Sequence, residues 1–253
     1  MEALAPPFPA TPCPFAAPGA EPQPTVVVVG DRIKQQCPQA AFVNLAGAQA
    51  LAAAGPATLH IGQGIDDAGL AGLYQLASEQ ITLVPAQPRQ RAGRQATHQH
   101  HARNIVISKL VDNGNGSYAS WLMIDERHGQ LSDHLTGMHV PGMLIIEAAR
   151  QLAIAAAEQC WLAPAARGKV NFLSHNIQVN FEQLLLPLAT EIICVPLALK
   201  RSGPVNFRYS TSLHFRQHGS TLARVEIDTS VVDSRFFHLK EDQLLHRSIT
   251  LLH

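Results

Sequence analysis

The clearest pattern in the chain is strict alternation of apolar and polar residues in its second half. Over 176–183, Ile177, Val179 and Phe181 fall on one face and Gln178, Asn180 and Glu182 on the other. Over 205–216, Val205, Phe207, Tyr209, Leu213 and Phe215 oppose Asn206, Arg208, Ser210, Ser212, His214 and Arg216. Ala223, Val225, Ile227 and Val231 oppose Arg224, Glu226, Asp228 and Ser230. A period of two predicts antiparallel strands with one buried and one wet face. Turn residues at 202–204 and 217–220 separate them. Upstream, 105–111 and 118–124 flank Asp112-Asn113-Gly114-Asn115-Gly116, a hairpin signal. Between hairpin and later strands lies 141–161, apolar nearly all round: Leu144, Ile145, Ile146, Ala148, Ala149, Leu152, Ala153, Ile154. Pro141 suits a first helical position, and a helix apolar on all sides is buried. The reading is a long central helix wrapped by an antiparallel sheet, with a short helix or frayed tail after 235.

The first third has a different rhythm. Short β-branched or apolar runs at 25–29, 58–61 and 81–84 alternate with helical stretches at 45–54 and 66–77. The order β-α-β-α-β predicts a small parallel sheet with crossover helices. The class is therefore α+β, a small α/β unit at 25–87 preceding a larger domain at 100–253. Eight prolines within 1–24 make that segment an extended leader. Residues 88–99, with Arg89, Arg91 and Arg94, read as a solvated connector. Gly62-Gln63-Gly64 after the second run invites a nucleotide reading, but lacks the third glycine and the following acid. A structural docking unit is the stronger expectation.

Composition narrows the function. The 253 residues hold 19 Lys+Arg and 19 Asp+Glu, so net charge is zero, and charged residues are only 15%. This excludes a basic nucleic-acid binder or a polybasic membrane-surface protein. No run approaches a membrane span and no basic-then-apolar signal segment opens the chain, so a cytoplasmic protein is expected. The four cysteines have no CxxC pair, so neither a zinc site nor a redox motif is implied. Thirteen histidines are the unusual count. His98, His100 and His101 crowd the connector, where a surface role outweighs a metal site; His98 or His101 would alternatively reach a pocket.

Chemistry concentrates around the central helix. Glu147, Arg150, Gln151 and Glu158 share one helix face. A carboxylate on a buried helix is costly unless paired or used. Two readings stay open: a structural Glu147–Arg150 ion pair, or a catalytic carboxylate beside an anion-binding arginine. The preceding loop brings His134 and His139 to the helix start, where the N–H groups of Gly142 and Met143 should be free for a developing oxyanion. Glu147 is the expected general base, with burial raising its pKa, and His134 its acid/base partner.

The run Asp133-His134 … Gly137-Met138-His139-Val140-Pro141-Gly142-Met143-Leu144-Ile145-Ile146-Glu147-Ala148-Ala149-Arg150-Gln151 closely resembles the signature of the A-factor biosynthesis (AfsA-like) hotdog family. With flanking strands the resemblance covers roughly 97–234. More distantly it resembles 3-hydroxyacyl-carrier-protein dehydratases: His134 matches their histidine and Glu147 their helix acid, one residue closer together. His139 and Arg150 match the AfsA-like pattern. The resemblance implies a hotdog fold and an acyl thioester on acyl carrier protein or coenzyme A. It implies transfer of a 3-oxoacyl chain to a small hydroxyl acceptor such as dihydroxyacetone phosphate, towards a butyrolactone-type signal. Family members typically carry two hotdog halves and one copy is evident here, so homodimerisation is expected. No metal or cofactor is implied. A dehydratase or thioesterase, and a non-catalytic acyl-thioester binding module, are the alternatives.

Overall fold

A computed structural model gives the fold of residues 23–132 and 138–251. Most of the leader and His134 lie outside the described residues. The N-terminal unit is a four-stranded parallel sheet, ordered β2-β1-β3-β4. Its strands are β1 (Thr25–Val28), β2 (Phe42–Val43), β3 (Ala57–Ile61) and β4 (Ile81–Val84). The helices are α1 (Asp31–Gln36), α2 (Leu45–Ala54) and α3 (Asp67–Gln75). Asn44 caps α2 by accepting from Gly47 N–H at 3.0 Å, and Asp66 caps α3 by accepting from Gly69 N–H at 2.8 Å. The sheet thus has one more strand and one more helix than the pattern predicts. α1 and β2 are too short to show a period.

The second sheet is antiparallel with six strands, ordered β5-β6-β8-β9-β10-β7. They are β5 (Val111–Asp112), β6 (Tyr118–Trp121), β7 (Val170–Phe181), β8 (Glu191–Arg201), β9 (Phe207–Gln217) and β10 (Ser220–Asp233). The β9–β10 turn places His218 at φ 49° and Gly219 at φ 82°, two consecutive left-handed residues that match the twist of a tight hairpin. β8 carries Pro196, which is foreign to a central strand. The partner strand β6 reaches only Cys194, and β8 bulges between Pro196 and Ala198. Pro196 therefore lies on an open edge, where a missing donor is tolerated.

Helix α6 (Gly142–Ala156) crosses the concave face of this sheet. Leu144, Ala148, Leu152 and Ala156, four residues apart, are wholly buried with Ile192, Phe207, Tyr209 and Phe215 in one core. Each buried leucine contributes about 1.5–3 kcal/mol. The alanines let backbone and sheet approach closely, and Tyr209 Oη donates to the Ala153 carbonyl at 3.2 Å. The last turn, Ala157–Trp161, widens into a π-turn. Short helices α4 (Arg94–Thr97) and α5 (Gly129–Ser132) flank α6, and α7 (Ser234–Thr250) closes the described chain. With 17 residues and none buried, α7 is much longer than the expected tail.

The two sheets are joined through the glycine pair of the first. Gln63, almost wholly buried, donates through Nε2 to the Leu122 and Leu188 carbonyls, each at 3.1 Å. Its Oε1 accepts from Ile124 N–H at 3.0 Å, and its own N–H donates to Pro187 O at 3.0 Å. A Cβ on Gly62 would lie 2.5 Å from that same Pro187 oxygen. The glycines thus serve backbone approach between units. Within residues 88–99 two arginines are tied to the fold. Arg91 bonds Asp67 at 2.8 Å and the carbonyls of Ile105 and Met123, and Arg89 stacks on Trp121 at 3.9 Å.

Replacing Gln63 with Leu orphans the Leu122 carbonyl and the Ile124 N–H in a buried seam, and leaves the Leu188 carbonyl with Thr190 Oγ1 as its donor. At roughly 1–3 kcal/mol for each orphan, denaturant melts should show a loss of about 2–6 kcal/mol. A loss below about 1 kcal/mol would reject this seam as what holds the units together.

Candidate active site

Glu147 faces the 98–106 segment from the buried helix. The Arg150 guanidinium grips it as a fork: Nε to Oε2 at 2.8 Å and Nη2 to Oε1 at 2.7 Å. Gln151 Nε2 and Gln99 Nε2 each donate to Oε1 at 2.8 Å. Gln151 is itself fixed, accepting from Val106 N–H at 2.9 Å and donating to Asn104 O at 2.8 Å. Among the described residues Oε1 therefore has three donors and Oε2 has one. Oε2 is the oxygen with room for a further proton or hydroxyl.

These partners set the charge of Glu147. Burial pushes its pKa up, but the Arg150 fork, the Gln151 amide and nearby His128 outweigh burial and leave it below its ordinary value. The expected upward shift is corrected: desolvation is present but loses to a bidentate cation. His128 is buried, its Nδ1 accepts from Gln130 N–H at 3.2 Å, and burial lowers its pKa while Glu147 opposes.

The start of α6 is open as expected. Leu144 and Ile145 N–H groups bond Pro141 O, whereas those of Gly142 and Met143 have no partner among the described residues. The Phe181 ring from β7 lies over Gly142, where a Cβ would come within 3.0 Å. Five residues at 1.5 Å rise put Glu147 about 7–8 Å along the axis from these amides. His139 goes elsewhere: it lines a small crevice with Ile33, Gln36, Gln63 and Val140, between the units. Glu158 also leaves the Glu147 cluster, pairing with His98.

The structure thus gathers Glu147, Arg150 and Gln151, sets Gly142 and Met143 just upstream, and separates His139. Sequence reasoning missed Gln99 and His128. A donor for a buried helix carboxylate was to be expected from somewhere, and the polar 98–101 run was available. Nothing in the sequence singled out His128. The Gly62–Gly64 turn does lie where a parallel sheet receives ligands, between β1 and β3 at the switch in strand order. There Glu126 Oε2 accepts from Arg32 N–H at 3.0 Å and crowds Gly30. A carboxylate of the chain itself takes that N–H. Among the described residues no group of three or more His, Cys, Asp or Glu is placed to hold a metal ion, and no helix is long and apolar enough to cross a membrane.

A six-stranded antiparallel sheet wrapped on a buried helix, with polar groups clustered on that helix, defines a hotdog protein. The model of the A-factor biosynthesis hotdog domain matches residues 82–233, more than half of the chain. The chain belongs to the A-factor biosynthesis hotdog family. Solved structures with similar folds include a mutant thioesterase of Pseudomonas aeruginosa (12% identity, 50% of this chain, 81% of that one, TM-score 0.37). A thioesterase of Haemophilus influenzae gives 14%, 51%, 79% and 0.38, and a conserved protein of Pseudomonas aeruginosa 10%, 56%, 100% and 0.39. At such values the likeness carries no weight for activity. Among curated proteins no relative matches the chain.

The charge on Glu147 makes a stability prediction. Its folded pKa is depressed, so its contribution is complete above the ordinary value of 4.5 and is lost as pH falls through the lower folded value. Glu147→Gln should therefore cost about 1.5–3 kcal/mol at pH 7, the range for hydrogen bonds to charged groups. The gap in melting temperature from the parent should narrow steadily below pH 4.5. A gap independent of pH would show that the ionised form is not what stabilises.

Proposed function

We propose that the chain is an acyl-thioester enzyme of AfsA-like type, transferring a 3-oxoacyl chain from acyl carrier protein or coenzyme A to a small hydroxyl acceptor. The observation that carries the proposal is a carboxylate gripped by arginine, Glu147, on the buried helix of this family's domain, a short way along the axis from two amides with no partner among the described residues. In this reading Glu147 Oε2 takes the proton of the acceptor hydroxyl. The oxygen attacks the thioester carbonyl, and the oxyanion is held by the N–H groups of Gly142 and Met143. Collapse breaks the C–S bond, and the thiolate recovers the proton, with His134 as the relay. Arg150, occupied by Glu147, keeps that carboxylate ionised rather than gripping an anion. Gln151 and Gln99 fix its orientation, and His139, which lies in the crevice between the units, takes no part.

The same reading includes a homodimer. β7 is an edge strand of 12 residues with Ile177 40% and Phe181 52% exposed. A long, unprotected apolar edge is a pairing surface, and Phe181 lies over the helix start, so pairing there would shape the oxyanion site.

Mass spectrometry after incubation with a 3-oxoacyl thioester, with and without dihydroxyacetone phosphate, tests the reaction. An ester formed only with the acceptor is expected, and Glu147→Gln should lower its rate by about 10²–10⁴-fold. Free acid or dehydrated product without acceptor would replace transfer by the thioesterase or dehydratase reading, and binding without product would leave a binding module. For the dimer, Ile177→Lys with Phe181→Lys should give a monomer by light scattering and abolish turnover. A double variant that stays dimeric would reject the β7 edge as the interface.

A further inference from the structure

At the far end of α6 lies a second cluster of polar groups that the proposed reaction does not use. The π-turn carries Glu158 inward, leaving its side chain 3% exposed. Its carboxylate accepts from His98 Nε2 at 2.8 Å and, through both oxygens, from Gly168 N–H at 3.2 and 3.1 Å. His98 adopts a left-handed backbone, φ 53° and ψ 45°, and its ring meets the Phe172 edge at 4.9 Å. A buried carboxylate and an unfavourable backbone together hold one imidazole in one orientation. Both are costly ways merely to pin a loop, since apolar packing would do so more cheaply.

That imidazole forms part of the wall of a cavity of about 420 Å³ with Arg94, Gln95, Gln99, His100 and Gly168. This volume lies in the range of small-molecule sites. Nε2 of His98 is taken by Glu158, and Nδ1 has no partner among the described residues. Arg94 has no acidic partner among the described residues either. No carboxylate lines the cavity. The two that lie behind it, Glu147 and Glu158, are engaged by the adjacent residues Gln99 and His98. Gly168, at φ +70°, packs against Gln95, where a Cβ would lie 2.5 Å from Nε2. A guanidinium, two imidazoles and the Gln95 amide around an open volume match the oxygens of an anion.

We propose that this cavity is an oxyanion-binding site, in which His98, oriented by Glu158, contacts a phosphate or carboxylate group together with Arg94 and His100. The assignment is independent of the transfer reaction, because the test reads binding alone. Calorimetric titration of the full chain with inorganic phosphate, and separately with malonate, at constant ionic strength should show saturable binding of at least one. Phosphate alone assigns a phosphate ligand, malonate alone a carboxylate, and both support the shared chemistry. Arg94→Gln, on an exposed side chain that cannot unfold the protein, and His98→Gln should each weaken binding at least tenfold. His98 imidazole resonances, assigned by their loss in His98→Gln, should shift on titration in the parent. Saturable binding of neither anion, or affinity unchanged in Arg94→Gln, would overturn the proposal.

Discussion

The constraint on which this structure turns is that a helix buried on nearly every side carries three polar side chains that water cannot reach freely. Glu147, Gln151 and Glu158 must each find donors or acceptors inside the protein. All three are met by one short stretch of chain. His98 takes Glu158, Gln99 takes Glu147, and Asn104 and Val106 offer a carbonyl and an N–H to Gln151. The helix cannot be buried without that stretch, and the stretch has no reason to fold without the helix. A half-satisfied network of this kind would be worse than an apolar core, so the two are locked together.

The same constraint differentiates the two acids of α6. Glu147 meets a fork of arginine and two amides, and enough solvent to leave it 24% exposed. It is a charged, oriented group beside the open helix start. Glu158 meets only an imidazole and one backbone N–H in a nearly dry setting. Its role falls on its partner, whose ring it fixes. One helix thus presents a carboxylate directly at one end and an imidazole indirectly at the other, and the difference arises from which neighbour the 98–99 dipeptide supplies.

How much of this was legible in the sequence depended on range. The central helix and the strands at β7, β9 and β10 follow from local periodicity, because burial on one face writes a period of two or a fully apolar stretch into contiguous residues. β8 escaped because Pro196 and an apolar start break its alternation, and the open edge that permits the proline exists only once β6 is seen to stop at Cys194. The Glu147–Arg150–Gln151 cluster was legible because helical spacing alone brings i, i+3 and i+4 together. Gln99, His128 and the His98–Glu158 pair lie 19 to 60 residues from their partners, and no local rule predicts such contacts. The resemblance at 133–151 identified the family from a stretch part of which, including His134, lies outside the described residues.

The N-terminal unit finds its place in the same logic. Its parallel sheet offers a crevice at the switch between β1 and β3, yet Glu126 of the hotdog domain takes the Arg32 N–H of α1 there. Gln63 meanwhile binds carbonyls at Leu122 and Leu188 and the N–H of Ile124. Those residues belong to two strands of connection, 122–128 and 185–190. The first leads to His128, whose imidazole interacts electrostatically with Glu147. The second receives the entry of α6, since Val140 N–H donates to Leu185 O at 2.7 Å. A binding face turned inward has become a brace: it fixes where α6 begins and where His128 stands, and with them the geometry between the open amides of Gly142 and Met143 and the carboxylate one and a half turns beyond.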